Sequence, residues 1–384
     1  MARVTGGKPL RILHLHSSFG TGGKEMRAVA LMNAFGKGLR HAIVSAQPGA
    51  TGAKALIGKD VEAGFPFGFP PLAGKFGIRR MQKLARAMKD FDLVLTYNWG
   101  AMDAAMAHAM FAPSMGLPPL VHHEDGFNED EAVRLKPTRN WYRMVALSRA
   151  SAVVVPSRRL EQVALRAWRQ HPGKVVRIPN GIDTAAYARP VKPDVLPRLV
   201  KRRDERWVGT LAGLRPVKNL PRLVRAFAGL DDLWQLVIFG EGPEHDAIRA
   251  EAEALNVAHR VFLPGHVDEP WKATGLFDIF ALSSDSEQFP LSVVEGMAAG
   301  LPVVAPAVGD IAEIVAAENA PYIAPPGDEA ALSDALAAVA ASQSLRETIG
   351  KANRARAAAE FDRADMVSAY AALYARALGR ESFP

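Results

Sequence analysis

The sequence predicts an α/β protein built as two doubly wound domains, each a parallel sheet wrapped by helices. Three observations carry this. Short apolar runs of strand length alternate with amphipathic helical stretches along most of the 384 residues. Several of those runs end in glycine-rich or polar turns, the way a strand hands over to a helix in open α/β sheets. The alternation breaks once, at residues 184–205, which are rich in Pro, Arg and Lys, lack periodicity and read as an interdomain linker. The expected domains are residues 1–190 and 191–361, with a C-terminal helix within 362–384 packing back on the first.

In the first domain, Leu10 to His16 alternates well enough for a strand and runs into a loop containing Gly22 and Gly23. Met26, Ala30, Leu31, Ala34 and Phe35 then mark a helix face. Strand, glycine turn and helix N-terminus are the parts of a phosphate-binding unit, but the spacing is neither Gly-x-Gly-x-x-Gly nor a Walker lysine motif. A tight turn in any doubly wound fold reads equally well. His41 to Ser45, Asp92 to Thr96, Leu120 to His123, Ala152 to Pro156 and Lys174 to Ile178 supply further strands. The strand at Leu120 ends in the polar cluster His122, His123, Glu124 and Asp125, at the end of a strand where open α/β sheets bind ligands. Strand alternation lets at most one of the two histidines face that crevice. After Ile178, the pair Asn180-Gly181 reads as a turn with a positive φ.

Between the second and third strands lies an irregular loop, residues 64–77, with four phenylalanines. A basic amphipathic helix follows, with Ile78, Met81, Leu84, Ala85 and Met88 on one face and Arg79, Arg80, Lys83, Arg86 and Lys89 around them. Such a helix either lies on an anionic membrane or packs its apolar face in the core; the core reading is the expectation for the helix. So apolar a loop is better suited to acceptor or lipid contact.

The second array opens at Arg206 to Gly213 and continues through Arg215-Pro-Val-Lys218 into a helix bearing Leu220, Leu223, Val224 and Phe227. A strand ending in Gly240 and Gly242, a short strand ending near Val267 and a strand from Leu276 to Leu282 follow. Alanine-rich helices over 329–342 and 344–359 close the array. The last of those strands delivers the chain to Ser283-Ser-Asp-Ser-Glu287, a Phe289-Pro290 turn and a helix carrying Glu295. Pro290 suits a helix start, which leaves the N–H groups of Leu291 and Ser292 free at the positive helix end. One loop and helix thus offer a carboxylate for hydroxyl groups, amides for phosphate and a second carboxylate. That is a nucleotide-sugar pocket in outline.

Composition bounds the function. At 49% hydrophobic and 23% charged, the chain is neither disordered nor fibrous. No apolar run reaches the ~18–20 residues of a membrane span, and the first eleven residues hold no signal-peptide core. With no cysteine, disulfides and thiolate metal sites are excluded. The expected location is the cytoplasm, with room for peripheral attachment to the inner face of the plasma membrane. Residues 1–190 carry a net +14 and residues 191–384 a net −7. The first half therefore expects an anionic partner: membrane lipid, a phosphorylated acceptor or nucleic acid. No nucleic-acid-reading module accompanies the charge, so nucleic acid is not an expected partner.

Taken together, Gly22-Gly23, His123, Asn180-Gly181-Ile182-Asp183, Arg215 with Lys218, Gly240 with Gly242, and Glu287 with Glu295 resemble glycosyltransferase family 4. The order and spacing agree over nearly the whole chain. The Glu-x7-Glu element and Arg-Pro-Val-Lys-Asn are the specific parts. The resemblance implies the GT-B fold, two Rossmann-like doubly wound domains facing a cleft. It implies a retaining transferase with no catalytic metal and no cofactor, the donor being a nucleotide-diphosphate sugar. It places Glu287 at the donor sugar's hydroxyls, Glu295 on the ribose, His123 at the reacting sugar and the backbone near Val267 at the base. Arg215 and Lys218 fall on the diphosphate, where charge develops as the sugar leaves. Gly22, Gly23, Gly213, Gly240, Gly242, Phe289, Pro290, Leu291 and Ser292 join the donor site. The sequence departs from the commonest pattern at Gln288 and Asp310, positions that bear on donor preference. The polar wording around Glu287 and His123 is similar to enzymes of exopolysaccharide and glycolipid assembly, and a lipid-linked or membrane-proximal acceptor follows from that likeness. A GT-B epimerase or phosphorylase, or a non-catalytic sugar-nucleotide sensor, would share the same cleft.

Overall fold

The computed structural model describes residues 8–47, 49–127, 131, 134–196 and 199–384. Readings that fall on residues 1–7, and the part of the expected linker at 197–198, lie outside the described residues. The chain divides into two compact units, one of residues 1–179 with 366–384 and the other of residues 180–365.

The first unit is a seven-stranded parallel sheet. Its strands are β1 (Leu10–His16), β2 (Leu39–Ser45), β3 (Glu62–Gly64), β4 (Leu93–Tyr97), β5 (Leu120–His123), β6 (Ala152–Val155) and β7 (Val175–Arg177), in the order β3-β2-β1-β4-β5-β6-β7. Its helices are α1 (Gly23–Phe35), α2 (Ile78–Met88), α3 (Met102–Met115), α4 (Pro137–Ala146) and α5 (Arg158–Arg166). Alternate strand residues feed two cores on opposite faces, as the two-residue period requires. Leu13, Leu15, Val94, Val153 and Val155 pack with α2, α3 and α5, while Leu10, Ile12, Leu93, Leu95 and Val154 pack with α1. The order reverses at β1, which lies between β2 and β4, so the carboxyl ends of β1 and β4 flank a switch point.

The second unit begins with the short helix α6 (Thr184–Tyr187). Its six parallel strands are β8 (Arg206–Leu211), β9 (Trp234–Phe239), β10 (Val261–Gly265), β11 (Ile279–Ala281), β12 (Val303–Pro306) and β13 (Ile323–Ala324), in the order β10-β9-β8-β11-β12-β13. Around them run α7 (Leu220–Ala228), α8 (His245–Ala254), α9 (Leu291–Ala298), α10 (Ile311–Ile314), α11 (Glu329–Ala341) and α12 (Gln343–Glu360), and α13 (Arg363–Ala377) follows in the chain. Val208, Leu236 and Ile238 face the α7 side; Trp207, Val237 and Phe239 face the α9 side.

Several local readings change. The stretch expected as a bare linker carries α6, and Tyr187 and Leu196 are buried in the second unit's core, so the unit boundary falls at residue 180 rather than 191. The strand sought from Leu276 is shorter, because Thr274–Leu276 is a 3-10 turn. Gly181 does not have the positive φ expected of an Asn-Gly turn. It is glycine because a Cβ there would stand 2.6 Å from the Asp362 carbonyl oxygen. After its first turn α13 belongs with the first unit, where Met366, Tyr370, Leu373 and Tyr374 enter the core on the α1 side.

Candidate functional site

In the second unit the strand ends carry one knotted set of turns. β8 leads through Gly213 to Arg215, a 3-10 turn at Pro216–Lys218, and Asn219 in the left-handed conformation (φ 45°) at the cap of α7. β11 leads into the loop at Ser283–Glu287. The two loops are tied by the Asp285 N–H to the Val217 carbonyl (2.9 Å), by the Ser283 hydroxyl to the Lys218 carbonyl (3.0 Å), and by Arg222 to Asp285 (2.7 Å). Their product is an ion pair: Lys218 Nζ lies 2.5 Å from Glu287 Oε1, which also accepts from the Ser284 hydroxyl at 2.7 Å. The two side chains are only 15% and 11% exposed, so their orientation is fixed by packing rather than by solvent. Arg215 is exposed beside them, with a single turn between it and Lys218.

The glycines explain how close the backbones come. Gly240 (φ +145°) and Gly242 (φ +155°) sit against the carbonyls of Ala212 and Leu214, where a Cβ would collide at 1.9 and 2.4 Å. Gly309 takes φ +61° beneath the Glu287 and Gln288 carbonyls, and the Asp310 N–H donates to the Gln288 carbonyl at 3.0 Å. Gly213 has room for a Cβ, with the Arg215 guanidinium 3.6 Å away. Val267 is half-buried against the α9-side core.

α9 begins at Leu291, so Pro290 is its cap residue rather than its first helical position. The N–H groups of Leu291 and Ser292 have no protein partner among the described residues, as the first turn of a helix dictates. Phe289 packs edge-on against Phe361, with ring centroids 5.7 Å apart, and anchors the turn. Glu295 is half-buried one turn on. Burial raises its carboxyl above the ordinary range, and a hydrogen bond from the Tyr187 hydroxyl offsets part of that. Tyr187 in turn is raised by burial and by the carboxylate beside it.

In the first unit, α1 begins at Gly23 with Gly22 as its cap. Glu25, itself buried, folds back over this turn and accepts from the Ser18 hydroxyl at 3.2 Å, so the helix end holds a carboxylate of its own. His123 departs from the expected place. It is fully buried, its Nε2 3.0 Å from the Tyr374 hydroxyl of α13 and its Nδ1 3.3 Å from the Thr96 carbonyl, between the rings of Tyr97 and Tyr370. Burial holds its imidazole well below the usual histidine range, so it is neutral. His122 and Glu124 are also fully buried, His122 against Thr96 and Glu124 beside Arg143. Of the polar cluster ending β5, only Asp125 reaches the surface, 12% exposed. Its carboxylate is gripped by both terminal nitrogens of Arg27, one at 2.8 Å, and its N–H donates to the Asn98 side chain at 2.8 Å. Asn98 has φ 54° and ψ −172°, a region that only glycine adopts freely. It is held there by its own N–H bonded to the His123 carbonyl at 2.8 Å.

Residues 21–186 match glycosyltransferase family 4, and residues 192–356 match glycosyl transferases group 1. Between them the two matches span most of the chain. The chain belongs to glycosyltransferase family 4. Its relatives include the N-acetyl-alpha-D-glucosaminyl L-malate synthase of Bacillus anthracis, 27% identical over 43% of this chain and 44% of that protein. Another is the phosphatidyl-myo-inositol mannosyltransferase of Mycobacterium leprae, 34% identical over 47% of this chain and 49% of that protein. The matched segment thus spans about half the length of the curated relatives. Anabaena HepE, crystallised with UDP, superposes with a TM-score of 0.79 at 20% identity, covering 96% of this chain and all of that one. At that identity the likeness shows the fold, which is GT-B.

Sequence reasoning singled out Lys218, Glu287, the glycines and α9, but gave Lys218 to the diphosphate and Glu287 to the sugar, where the structure pairs the two. Ser284, Gly309, Tyr187 and Asp125 were not singled out there as site residues, and His123, which was, is fully buried. Only Asp125 had a signal in the sequence, as the last carboxylate of a polar strand end.

Proposed function

We propose that this family 4 protein is a retaining glycosyltransferase that moves a hexose from a nucleotide-diphosphate sugar to a lipid-linked or membrane-proximal acceptor, in glycolipid or exopolysaccharide assembly. The observation that carries the reading is the Lys218–Glu287 pair, with Ser284 and exposed Arg215 beside it at the strand ends of the second unit. A bound diphosphate draws Lys218 and Arg215 to its oxygens and frees Glu287 for the sugar hydroxyls, while the amides of Leu291 and Ser292 meet phosphate. In transfer, the bond from the anomeric carbon to the diphosphate oxygen breaks and a bond from the acceptor oxygen forms on the same face. The acceptor proton passes to the departing phosphate. Preorganised cations stabilise the charge that develops there, in place of a divalent metal. Glu295, with Tyr187 behind it, takes the ribose. At the reacting sugar we assign Asp125 in place of His123, because it is the member of that strand end with a solvent-facing edge.

Calorimetry with UDP-, GDP- and ADP-sugars tests the donor, with UDP-sugars first because HepE was crystallised with UDP. Nucleotide release on adding extracted membrane lipid tests the acceptor, and its persistence in chelator tests independence from metal. Failure to bind any nucleotide sugar ends the reading. Release that proceeds equally without acceptor points instead to an epimerase.

A further inference from the structure

Arg222 stands where a cation is out of place. It lies in the first turn of α7, at the positive end of the helix dipole, and follows Arg215 and Lys218 in the chain. Three cations gathered at one helix start repel one another and the dipole, so a cation here needs fixed partners. It has two. A single guanidinium nitrogen, Nη1, lies 2.7 Å from Asp285 Oδ1 and donates to the Ser283 carbonyl at 3.1 Å. The Arg222 side chain is 14% exposed, and Glu329 of α11 brings a carboxylate oxygen to 3.9 Å from its Nε.

Ser283 and Asp285 flank Ser284, whose hydroxyl reaches Glu287 Oε1 at 2.7 Å. Ser283 and Ser284 are buried, whereas the Asp285 side chain is 48% exposed. So exposed a carboxylate has no reason of its own to stay in one place. It is held by Arg222 and by the Asn219 amide, 3.3 and 3.2 Å from its two oxygens. The loop after β11 is thereby clamped on both sides of the serine that aims Glu287. Arg225, further along the same helix, supplies a contrast. It pairs with Glu329 (2.6 and 2.9 Å) and Glu251 (3.2 Å), and neither partner lies in that loop.

We infer that Arg222 is a positioning residue for the transfer reaction: it holds Ser283 and Asp285 so that Ser284 keeps Glu287 aimed at the donor sugar. This rests on the transferase reading above. Arg222 is spent on the loop and touches no substrate, so its loss misaims a reacting group rather than removing a binding one. Lys218, Arg215 and the α9 amides still take the diphosphate. The defect therefore falls on turnover rather than on donor affinity.

The test is steady-state nucleotide release by the full chain with extracted membrane lipid as acceptor. The donor is whichever of UDP-glucose, GDP-mannose and ADP-glucose the wild type turns over fastest. Arg222→Met should lower kcat by about tenfold to a hundredfold and leave the donor KM within about threefold. Asp285→Ala removes the exposed partner, should lower kcat in the same direction, and keeps the test alive if Arg222→Met does not fold. Arg222→Lys should recover most of the loss, since one nitrogen makes both contacts and an ammonium has the hydrogens for them. On top of Glu287→Ala, Arg222→Met should lower kcat by less than about threefold, because the two changes act on one group. Arg225→Met breaks ion pairs on the same helix without touching the loop, and should leave kcat within about twofold. A raised KM with kcat intact, a full effect of Arg222→Met on top of Glu287→Ala, no recovery by Arg222→Lys, an equal kcat loss from Arg225→Met, or wild-type kcat in Arg222→Met and Asp285→Ala overturns the inference while the transferase stands. Wild-type protein that releases nucleotide from none of the three donors removes the transferase reading and this inference with it.

Discussion

The strand ends of the two units are dressed in opposite ways. In the first, the polar residues at the ends of β1, β4 and β5 are turned inward: His14, His16, His122 and His123 are buried, and Tyr97 stacks on His16 at 3.9 Å between ring centroids. In the second, the polar residues meet as ions in two short turns near the surface, Lys218 with Glu287 and Arg222 with Asp285. The first arrangement is a buried core built largely of tyrosine and imidazole rings. The second keeps charge where a ligand can exchange for it. A polar residue at a strand's carboxyl end is therefore a candidate for chemistry only if the next layer of structure leaves it uncovered, and α13 covers β5 with Tyr370 and Tyr374.

The sharpest way to break this comparison is at the ion pair. Lys218→Ala or Glu287→Ala should lower transfer by about 10²–10³-fold, the usual cost of removing one preorganised transition-state partner. Stability should fall as well, by up to about 3 kcal/mol, because removing one partner leaves the other charge mostly enclosed and unpaired. Nucleotide release and a denaturant melt measure the two. Full turnover by either variant would remove the second unit's claim to the chemistry.

Acid separates the units next. His14, His16 and His123 are held well below the usual histidine range by burial, and His41 is lowered to about 4. A group with a depressed folded pKa binds its proton more readily when unfolded. These histidines thus lend stability that is complete above their unfolded value of about 6.5 and is lost as pH falls towards 4. His41 alone accounts for about 3 kcal/mol over that window. The second unit's shifted carboxylates behave differently over the same window. Glu329 and Asp362 are lowered by their partners, and their contribution goes only at more acid pH, while Glu295 is raised and favours its protonated form. Hydrogen exchange read by mass spectrometry should therefore show β1, β2, β4 and β5 losing protection between pH 6.5 and 4.5 before any strand of the second unit. Simultaneous loss in both units would contradict the contrast.

A smaller effect tests the exchange of His123 for Asp125. Asp125→Asn should lower transfer by about a hundredfold with nucleotide affinity unchanged, since its carboxylate is assigned to the reacting sugar. His123→Phe should lower the melting temperature yet leave the turnover of folded protein nearly intact. The reverse pattern would return the role to His123.

Much of this was legible in the residues because strand and helix periods are local. The two arrays, α9, the glycine turns and the motifs that hold Lys218 and Glu287 follow from short-range pattern, though the pairing of those two residues across 69 positions does not. What was hidden depends on contacts across long sequence separations. Nothing near Tyr187 announces Glu295, 108 positions away, and nothing near His123 announces Tyr374, 251 positions away. The Asn98 backbone, at φ 54°, has no signature at all in a sequence where Asn precedes Trp. The Phe-rich loop was visible, but only Arg80, bonded to the Pro71 and Leu72 carbonyls and to Asp103, shows it to be a fixed surface rather than a slack connection.

The smallest effect concerns a glycine whose reason was misread from its neighbour. Asn180-Gly181 looks like a turn that needs a positive φ, and on that reading alanine would cost backbone strain in any surroundings. The actual constraint is steric: a Cβ on Gly181 would lie 2.6 Å from the Asp362 oxygen, 2.9 Å from its carbon and 3.0 Å from Arg363 Cα. These are backbone atoms fixed by the Ile182–Asp362 bridge, by the Ile182 N–H to the Phe361 carbonyl (3.0 Å) and by the Arg363 N–H to the Ile182 carbonyl (2.8 Å), so they cannot swing aside like a side chain. Gly181→Ala should cost about 1–2 kcal/mol by overpacking, seen as a lower denaturant midpoint. Gly229→Ala, at φ −76° with open space around it, should be neutral or stabilising by up to about 1 kcal/mol. If Gly181→Ala were as harmless as Gly229→Ala, the segment 180–183 would have to be loosely seated on 361–363, and the assignment of residue 180 to the second unit would fail with it.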